Sequence, residues 1–241
     1  MILAVNTSTP QFSIALVEAE GPLRAEVILA PGSKKFGGLM PALHNLLEAS
    51  DTPIGELKGL AVALGPGSFT GIRVGLSMAK GLCHGLGIPI IGVSSLEALA
   101  CQIPLVQIPV CPVLTSRRGE IFSALFERSA DGNLRATQQI RSLKFEDLRT
   151  FVERQALFIG NDYGAQGDLI REHLGEKAVL APPVLWNLRA SSVGSLGLQR
   201  HRAGRFDDLE TLAPIYLRPP DIRPNPIPLL SPKTRPLTNK P

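Results

Sequence analysis

Short apolar runs broken by polar turns open the chain. Residues 2–5 and 12–17 are apolar and strand-length, Asn6-Thr-Ser-Thr-Pro10 separates them, and Gly21-Pro22 leads into a third run at 23–29. Runs of this length bounded by turn residues predict three antiparallel strands. After Gly37-Gly38 the period changes, and Leu39, Leu43, Leu46 and Leu47 form the apolar face of a helix over 39–49. Residues 60–64 are wholly apolar and end in Gly65-Pro66-Gly67, which predicts a buried strand halted by a turn. A helix over about 70–85 follows, with Ser68 or Thr70 as its N-cap. Residues 88–93 predict another buried strand, and Ser94-Ser-Leu-Glu97 a capped short helix ending near Cys101. The order is β-β-β-α-β-α-β-α.

The proline-rich stretch 103–112 lacks a helical stripe, and a domain boundary is expected near residue 104. The pattern then restarts, with strands at 111–114, 120–126 and 134–140, a helix at 145–154, a strand at 157–160, a helix at about 165–174 and a last helix at 190–203. Val5-Asn-Thr-Ser8 and Val113-Leu-Thr-Ser116 stand at matching points, each ending a first strand in a polar turn. The expectation is a duplicated α/β architecture: one unit over 1–103, a second over 104–218 whose last helix packs back on the first, and a tail over 219–241. Eight of the 23 tail residues are proline, a composition that favours an extended or disordered segment.

In the helix at 70–85, Gly71, Gly75, Ala79 and Cys83 fall every fourth residue and line one face with small side chains. Two glycines inside a helix cost roughly 1 kcal/mol each relative to alanine, so close approach of another backbone is expected to offset them. That backbone is either the protein's own sheet or a partner, and the spacing leaves both open. A strand, a glycine-rich turn and a helix N-terminus also form an anion cradle. The standard nucleotide signatures are missing, because Gly71 is followed by Ile72-Arg73 rather than Lys-Ser/Thr, and Gly65-Pro-Gly67 with Gly71 is one residue too long for a dinucleotide fingerprint.

Composition narrows the reading. At 241 residues and 44% hydrophobic, the chain can build a substantial core. The net charge of +4 sits mostly in the tail, leaving 21 basic against 20 acidic residues before position 219, so no dense basic stripe points to direct nucleic-acid binding. Cys83, Cys101 and Cys111 form no C-x-x-C pair, and an odd set in apolar surroundings argues against disulfides or zinc. The chain starts with a strand instead of a signal core and has no run long enough to span a bilayer, so a cytoplasmic location is expected.

Taken whole, Gly65-Pro-Gly-Ser-Phe-Thr-Gly-Ile-Arg-Val-Gly75 with Ala79-Lys80-Gly81 resembles the TsaB (YeaZ) family of tRNA threonylcarbamoyladenosine biosynthesis. Ile2-Leu-Ala-Val-Asn-Thr-Ser-Thr9, Arg117-Arg-Gly-Glu-Ile121 and Pro214-Ile-Tyr-Leu-Arg218 extend the resemblance over residues 1 to about 218. It implies two ribonuclease-H-like domains of the actin, sugar-kinase and Hsp70 superfamily. It also implies a non-catalytic subunit that pairs with TsaD to form threonylcarbamoyladenosine at position 37 of tRNAs reading codons that begin with A. TsaE joins as the ATPase, ATP and threonylcarbamoyl-AMP are used through the partners, tRNA is met only through the complex, and the chain alone is expected to form a homodimer.

The resemblance further implies contact through the helices at about 38–49 and 70–85. Leu43, Leu47, Gly71, Gly75, Leu76 and Ala79 are the residues it assigns, so a bulky residue at Gly75 is expected to break pairing and leave the fold intact. ATP-using relatives place magnesium-binding aspartates in the turns after the first strand of each half. Here those positions hold Asn6 and Thr115, poor ligands for a hard divalent cation. Thr7, Ser8, Ser68, Thr70 and Ser116 could still face a phosphate, or simply form the turns. The H-x-x-x-H metal pair of TsaD is absent, His44 being the only histidine in its region, and no nucleophile elbow is present. No catalytic or metal residue is therefore assigned; the alternative is an independent ATP-binding phosphotransferase of the same fold.

Overall fold

The computed structural model describes residues 1–18, 23–29, 37–103, 106–117, 119–129 and 132–217. The three N-terminal runs form β1 (Ile2–Asn6), β2 (Phe12–Val17) and β3 (Leu23–Leu29). With β4 (Leu60–Gly65) and β5 (Ile90–Ser94) they make a sheet of order β3-β2-β1-β4-β5. The first three strands are antiparallel, and β1, β4 and β5 run parallel. The second sheet repeats this plan with β6 (Val110–Thr115), β7 (Glu120–Arg128), β8 (Leu134–Lys144), β9 (Ala156–Ile159) and β10 (Ala178–Leu180) in the order β8-β7-β6-β9-β10. The expected α/β architecture of two ribonuclease-H-like halves is what the chain adopts.

Strands β1, β2 and β4 alternate between two buried faces. Leu3, Val5, Ile14, Leu16, Leu60 and Val62 point to α1 (Leu39–Ala49) and α2 (Phe69–Leu86), where they meet Leu39, Leu43, Leu76 and Ala79. The opposite face is built from Ala4, Ala15, Ala61 and Ala63, with Ile2. Such small side chains let α6 (Ala190–Arg202) lie close, and a Cβ added at Gly194 or Gly197 would come within 2.4 Å of Val17 or Ala61. The last helix of the second half therefore packs on the first sheet, beside α3 (Ser95–Cys101). One continuous apolar cluster joins the two halves through it. A division at 103/104 remains our proposal; residues 104–105 and the tail 219–241 lie outside the described residues.

One local prediction needs correction, and two features had no counterpart in the sequence reading. The helix expected over 145–154 is a 3-10 turn at Phe145–Asp147 followed by one turn, α4 (Leu148–Phe151). Phe145, Leu148 and Phe151 are the residues buried there, a spacing of three that suits the tighter turn, and Val152 is already extended. β10, three residues long, was too short to stand out in the pattern. Beyond α6, residues 203–217 return along the first sheet: the Asp207 N–H donates to the Ile90 carbonyl at 3.0 Å, and the Ile215 N–H to that of Leu64 at 2.9 Å. Asp207 also accepts from the Gly92 N–H at 2.7 Å, so this strap satisfies the open edge of β5.

Burial sets the chemistry of the cysteines. Desolvation pushes the Cys83 thiol up to about 11 and that of Cys111 up to about 12, the latter despite a hydrogen bond with Ser123. Thiolate is the reactive form, so neither should react with iodoacetamide at pH 8 in the folded chain, and both should react once it is denatured. Peptide mapping checks this; rapid labelling of Cys111 in the native protein would contradict the packing described here. Among the described residues no helix is long and apolar enough to cross a membrane.

Candidate functional site

Helix α2 is the element to which most of the candidate residues belong. Ser68 caps it, its Oγ accepting from the Gly71 N–H at 3.2 Å, and the left-handed Gly87 (φ 65°) ends it. Thr70, the other cap candidate, lies exposed in the first turn. Two stripes of small residues run along this helix on opposite sides. Gly71, Gly75, Ala79 and Cys83 are buried, while Ser77, Gly81 and Gly85 are exposed.

The buried stripe packs on the turn after β1. A Cβ added at Gly71 would sit 2.0 Å from the Thr7 carbonyl oxygen, and one at Gly75 2.1 Å from Thr7 Oγ1. Neither position has room for a side chain, so the helix approaches the turn as closely as glycine permits. Gly71, Gly75, Leu76 and Ala79, which were expected to touch a partner, are all buried inside this chain. Leu43 is likewise buried under α1, and of the six residues assigned to contact only Leu47 is half-exposed. The outward surface of the two helices is made instead by Met40, which is 53% exposed, with Leu47, Val74, Ser77, Met78, Gly81 and Gly85. A Cβ at Gly81 or Gly85 meets nothing within 4 Å.

The turn beneath α2 is fully closed. Asn6 is 0% exposed, and its carboxamide has all four hydrogen-bonding positions filled. Its Nδ2 donates to the Leu188 carbonyl at 2.8 Å and to Thr9 Oγ1 at 3.0 Å. Its Oδ1 accepts from the Ser8 N–H at 3.0 Å and the Ser8 hydroxyl at 2.8 Å. The Leu188 carbonyl can only accept and the Ser8 N–H can only donate, which fixes the amide's orientation and explains why an asparagine, not an aspartate, stands here. Leu188 precedes α6, so this bond ties the first turn to the chain returning from the second half.

Thr7 and Ser8 were candidates to face a phosphate; both are buried, and Ser8 Oγ accepts from Ser95 Oγ at 2.9 Å. Ser68 is engaged at both ends, its Oγ in the cap and its N–H on the Ser8 carbonyl at 2.8 Å. Packed protein surrounds Thr7 and Ser8, whereas Ser68 is exposed with its Oγ used in the cap. Thr70 and Ser116 stay accessible.

The matching turn of the second half is exposed and tied by amides. The Thr115 N–H donates to Asn161 Oδ1 at 3.0 Å, and Gln166 Nε2 donates to Thr115 Oγ1 at 3.1 Å and Asn161 Oδ1 at 2.9 Å. Gln166 lies on α5 (Tyr163–Leu174), capped by Asp162. Sequence reasoning missed Asn161, Gln166 and Leu188. The first two are ordinary polar residues until the fold joins β6, β9 and α5, and the third acts through its backbone. Among the described residues no three His, Cys, Asp or Glu side chains gather as a metal site requires.

Two sheets of one topology, each with three antiparallel strands followed by two parallel ones, define a duplicated α/β protein of the ribonuclease-H-like class. The chain belongs to the TsaB family: it is 33% identical over 225 residues to the tRNA threonylcarbamoyladenosine biosynthesis protein TsaB of Bacillus subtilis, a match covering 90% of this chain and 93% of that one. It is 29% identical to the protein of the same name in Escherichia coli, over 90% of this chain and 94% of that one. Residues 37–148 match the family model of TsaD, tRNA N6-adenosine threonylcarbamoyltransferase. In fold the chain is similar to YeaZ from Pseudomonas aeruginosa, with a TM-score of 0.74 at 23% identity over 89% of this chain and 99% of that one.

Proposed function

We propose that the chain is a non-catalytic pairing subunit in threonylcarbamoyladenosine synthesis, binding a TsaD-family protein through the outer face of α1 and α2. The observation that carries this is the exposed stripe of α2. Gly81 and Gly85 have no packing reason inside the chain to be glycine, and each weakens an isolated helix by about 1 kcal/mol relative to alanine. A helix laid over Ser77, Gly81 and Gly85 could approach α2 closely, with Met40, Leu47, Val74 and Met78 supplying apolar area around it. Family membership supports the pathway, and the family model match over 37–148, which spans both helices, supports a TsaD-like surface there.

Chemistry in this reading belongs to the partner. Every hydrogen-bonding position of Asn6 is occupied, so the turn that would hold magnesium in an ATP-using relative acts here as a joint between the halves. ATP and threonylcarbamoyl-AMP would be handled by the assembly, with TsaE as its ATPase and tRNA held by the complex in the cytoplasm. Without its partner the same face would pair two copies of this chain.

Gly81→Arg separates pairing from folding. The position is exposed and helical, so the substitution should leave the unfolding midpoint unchanged or slightly raised. Affinity for the cognate TsaD-family protein, measured by calorimetry, should fall by on the order of 100-fold, as for a charge and bulk placed at the centre of an interface. Unchanged affinity would exclude this face.

A further inference from the structure

Alongside the outer face of α2 lies a groove of about 370 Å³ between the helix and the returning strap. Its floor is apolar, from Leu76, Leu212 and Pro214, and its rim carries Arg73, Ser77 and Lys80. Arg73 and Lys80 are seven residues apart, two helical turns, and so stand on one side of α2.

Arg73 is held in place. Its guanidinium carbon lies 3.7 Å from the centre of the Phe69 ring, and its Nε donates to the Tyr216 hydroxyl at 2.8 Å. The two rings lie 5.3 Å apart, so the cation is fixed between an aromatic face and a hydroxyl. With Nε engaged, the terminal nitrogens are left as a fork whose geometry matches a carboxylate. Lys80 Nζ donates to the Glu210 carbonyl at 3.0 Å, which uses one of its three donors.

Neither cation has an acidic partner within ion-pair distance among the described residues. Asp208, the neighbouring carboxylate, accepts from the Thr211 N–H and hydroxyl and from the Glu210 N–H; those bonds, with a smaller pull from the Lys80 charge, hold its acid below the usual range. The groove thus presents two oriented positive charges above an apolar floor.

We infer that this groove receives an acidic side chain of the protein that covers the outer face of α2. The inference rests on the pairing role proposed above. The groove shares Ser77 with the exposed stripe, so a partner lying over Ser77, Gly81 and Gly85 also overlies the groove, and an Asp or Glu on its flank can form a fork with Arg73 while its stem meets Leu76 and Leu212. The space admits one or two side chains and is too small for a run of nucleotides, which disfavours a nucleic-acid path.

The test uses the full chain and its cognate TsaD-family protein, by calorimetry at low and high salt. Arg73→Glu should weaken binding by on the order of 100-fold and flatten its salt dependence. Arg73→Leu, which introduces no like charge, should weaken it less but remove the same salt dependence. A carbodiimide should join the Lys80 amine, or the amine of Arg73→Lys, to a partner Asp or Glu found by peptide mapping. Wild-type affinity and salt slope in both Arg73 variants would overturn this inference while leaving the pairing role standing. No binding by the wild-type chain would overturn both. Retardation of tRNA by the chain alone, lost in Arg73→Glu, would assign the groove to nucleic acid instead and overturn the inference.

Discussion

Gly71→Val is expected to destabilise the chain by about 3 kcal/mol or more, at the upper end of what overpacking a core does, and so to lower the unfolding midpoint by roughly 10 °C. The first added atom would lie 2.0 Å from the Thr7 carbonyl oxygen, and that carbonyl belongs to a turn with no solvent exposure into which it could retreat. Gly75→Ala should behave differently although its clash is similar in size, because the atom it meets is Thr7 Oγ1, 2.1 Å away. That hydroxyl is buried without a hydrogen-bond partner, so Thr7→Ala removes the obstacle without breaking a bond. In the double variant the Gly75→Ala penalty should largely disappear, whereas Thr7→Ala should do nothing for Gly71→Val, whose obstacle is main chain. Thermal unfolding of the wild type, the three single variants and the two double variants reads this coupling directly. Gly71→Val with a wild-type midpoint and impaired pairing would mean that the buried stripe meets a partner after all.

Asn6→Asp should cost about 3–5 kcal/mol near neutral pH, the range for a buried charge left without compensation. The exchange swaps a donor for an oxygen at 2.8 Å from the Leu188 carbonyl, in a position with no exposure. The penalty depends on pH. Burial raises the folded-state value of the new carboxyl above the unfolded value of about 3.9, so the native state binds more protons and the variant loses stability as pH rises through that window. Below about pH 4 both states are protonated, the acid O–H can again donate to Leu188, and the deficit relative to the wild type should be smallest. A flat difference between the two proteins from pH 4 to 8 would contradict the buried joint, as would tight magnesium binding by the variant at this turn.

Much of the architecture was legible because strand length, turn composition and a change of period carry it. The strands expected from residues 2, 12 and 23 begin at those residues, and the parallel between the turns at Asn6 and Thr115 pointed to duplication. The direction of α2 was harder. Glycines or other small residues repeat every fourth position on both of its faces, so their period alone does not say which stripe is buried. The flanking residues do: Ile72 and Leu76 border the inner stripe, and Thr70, Arg73 and Lys80 the outer one. The role of Asn6 was legible as a missing carboxylate and no further, since its deciding partner is a backbone carbonyl 182 residues away. The strap at 203–217 has no periodic pattern, because it is held by a few bonds to the end of β4 and to β5 rather than by a repeating face.

The central claim is tested most directly by threonylcarbamoyl transfer to tRNA in a mixture of the cognate TsaD and TsaE proteins with tRNA, threonylcarbamoyl-AMP and ATP, run with and without this chain. Formation of threonylcarbamoyladenosine should depend on adding the chain, should persist with Gly81→Ala, and should be lost with Gly81→Arg although that variant is folded. Full activity in the absence of the chain, from a mixture with which it forms no complex, would contradict the account.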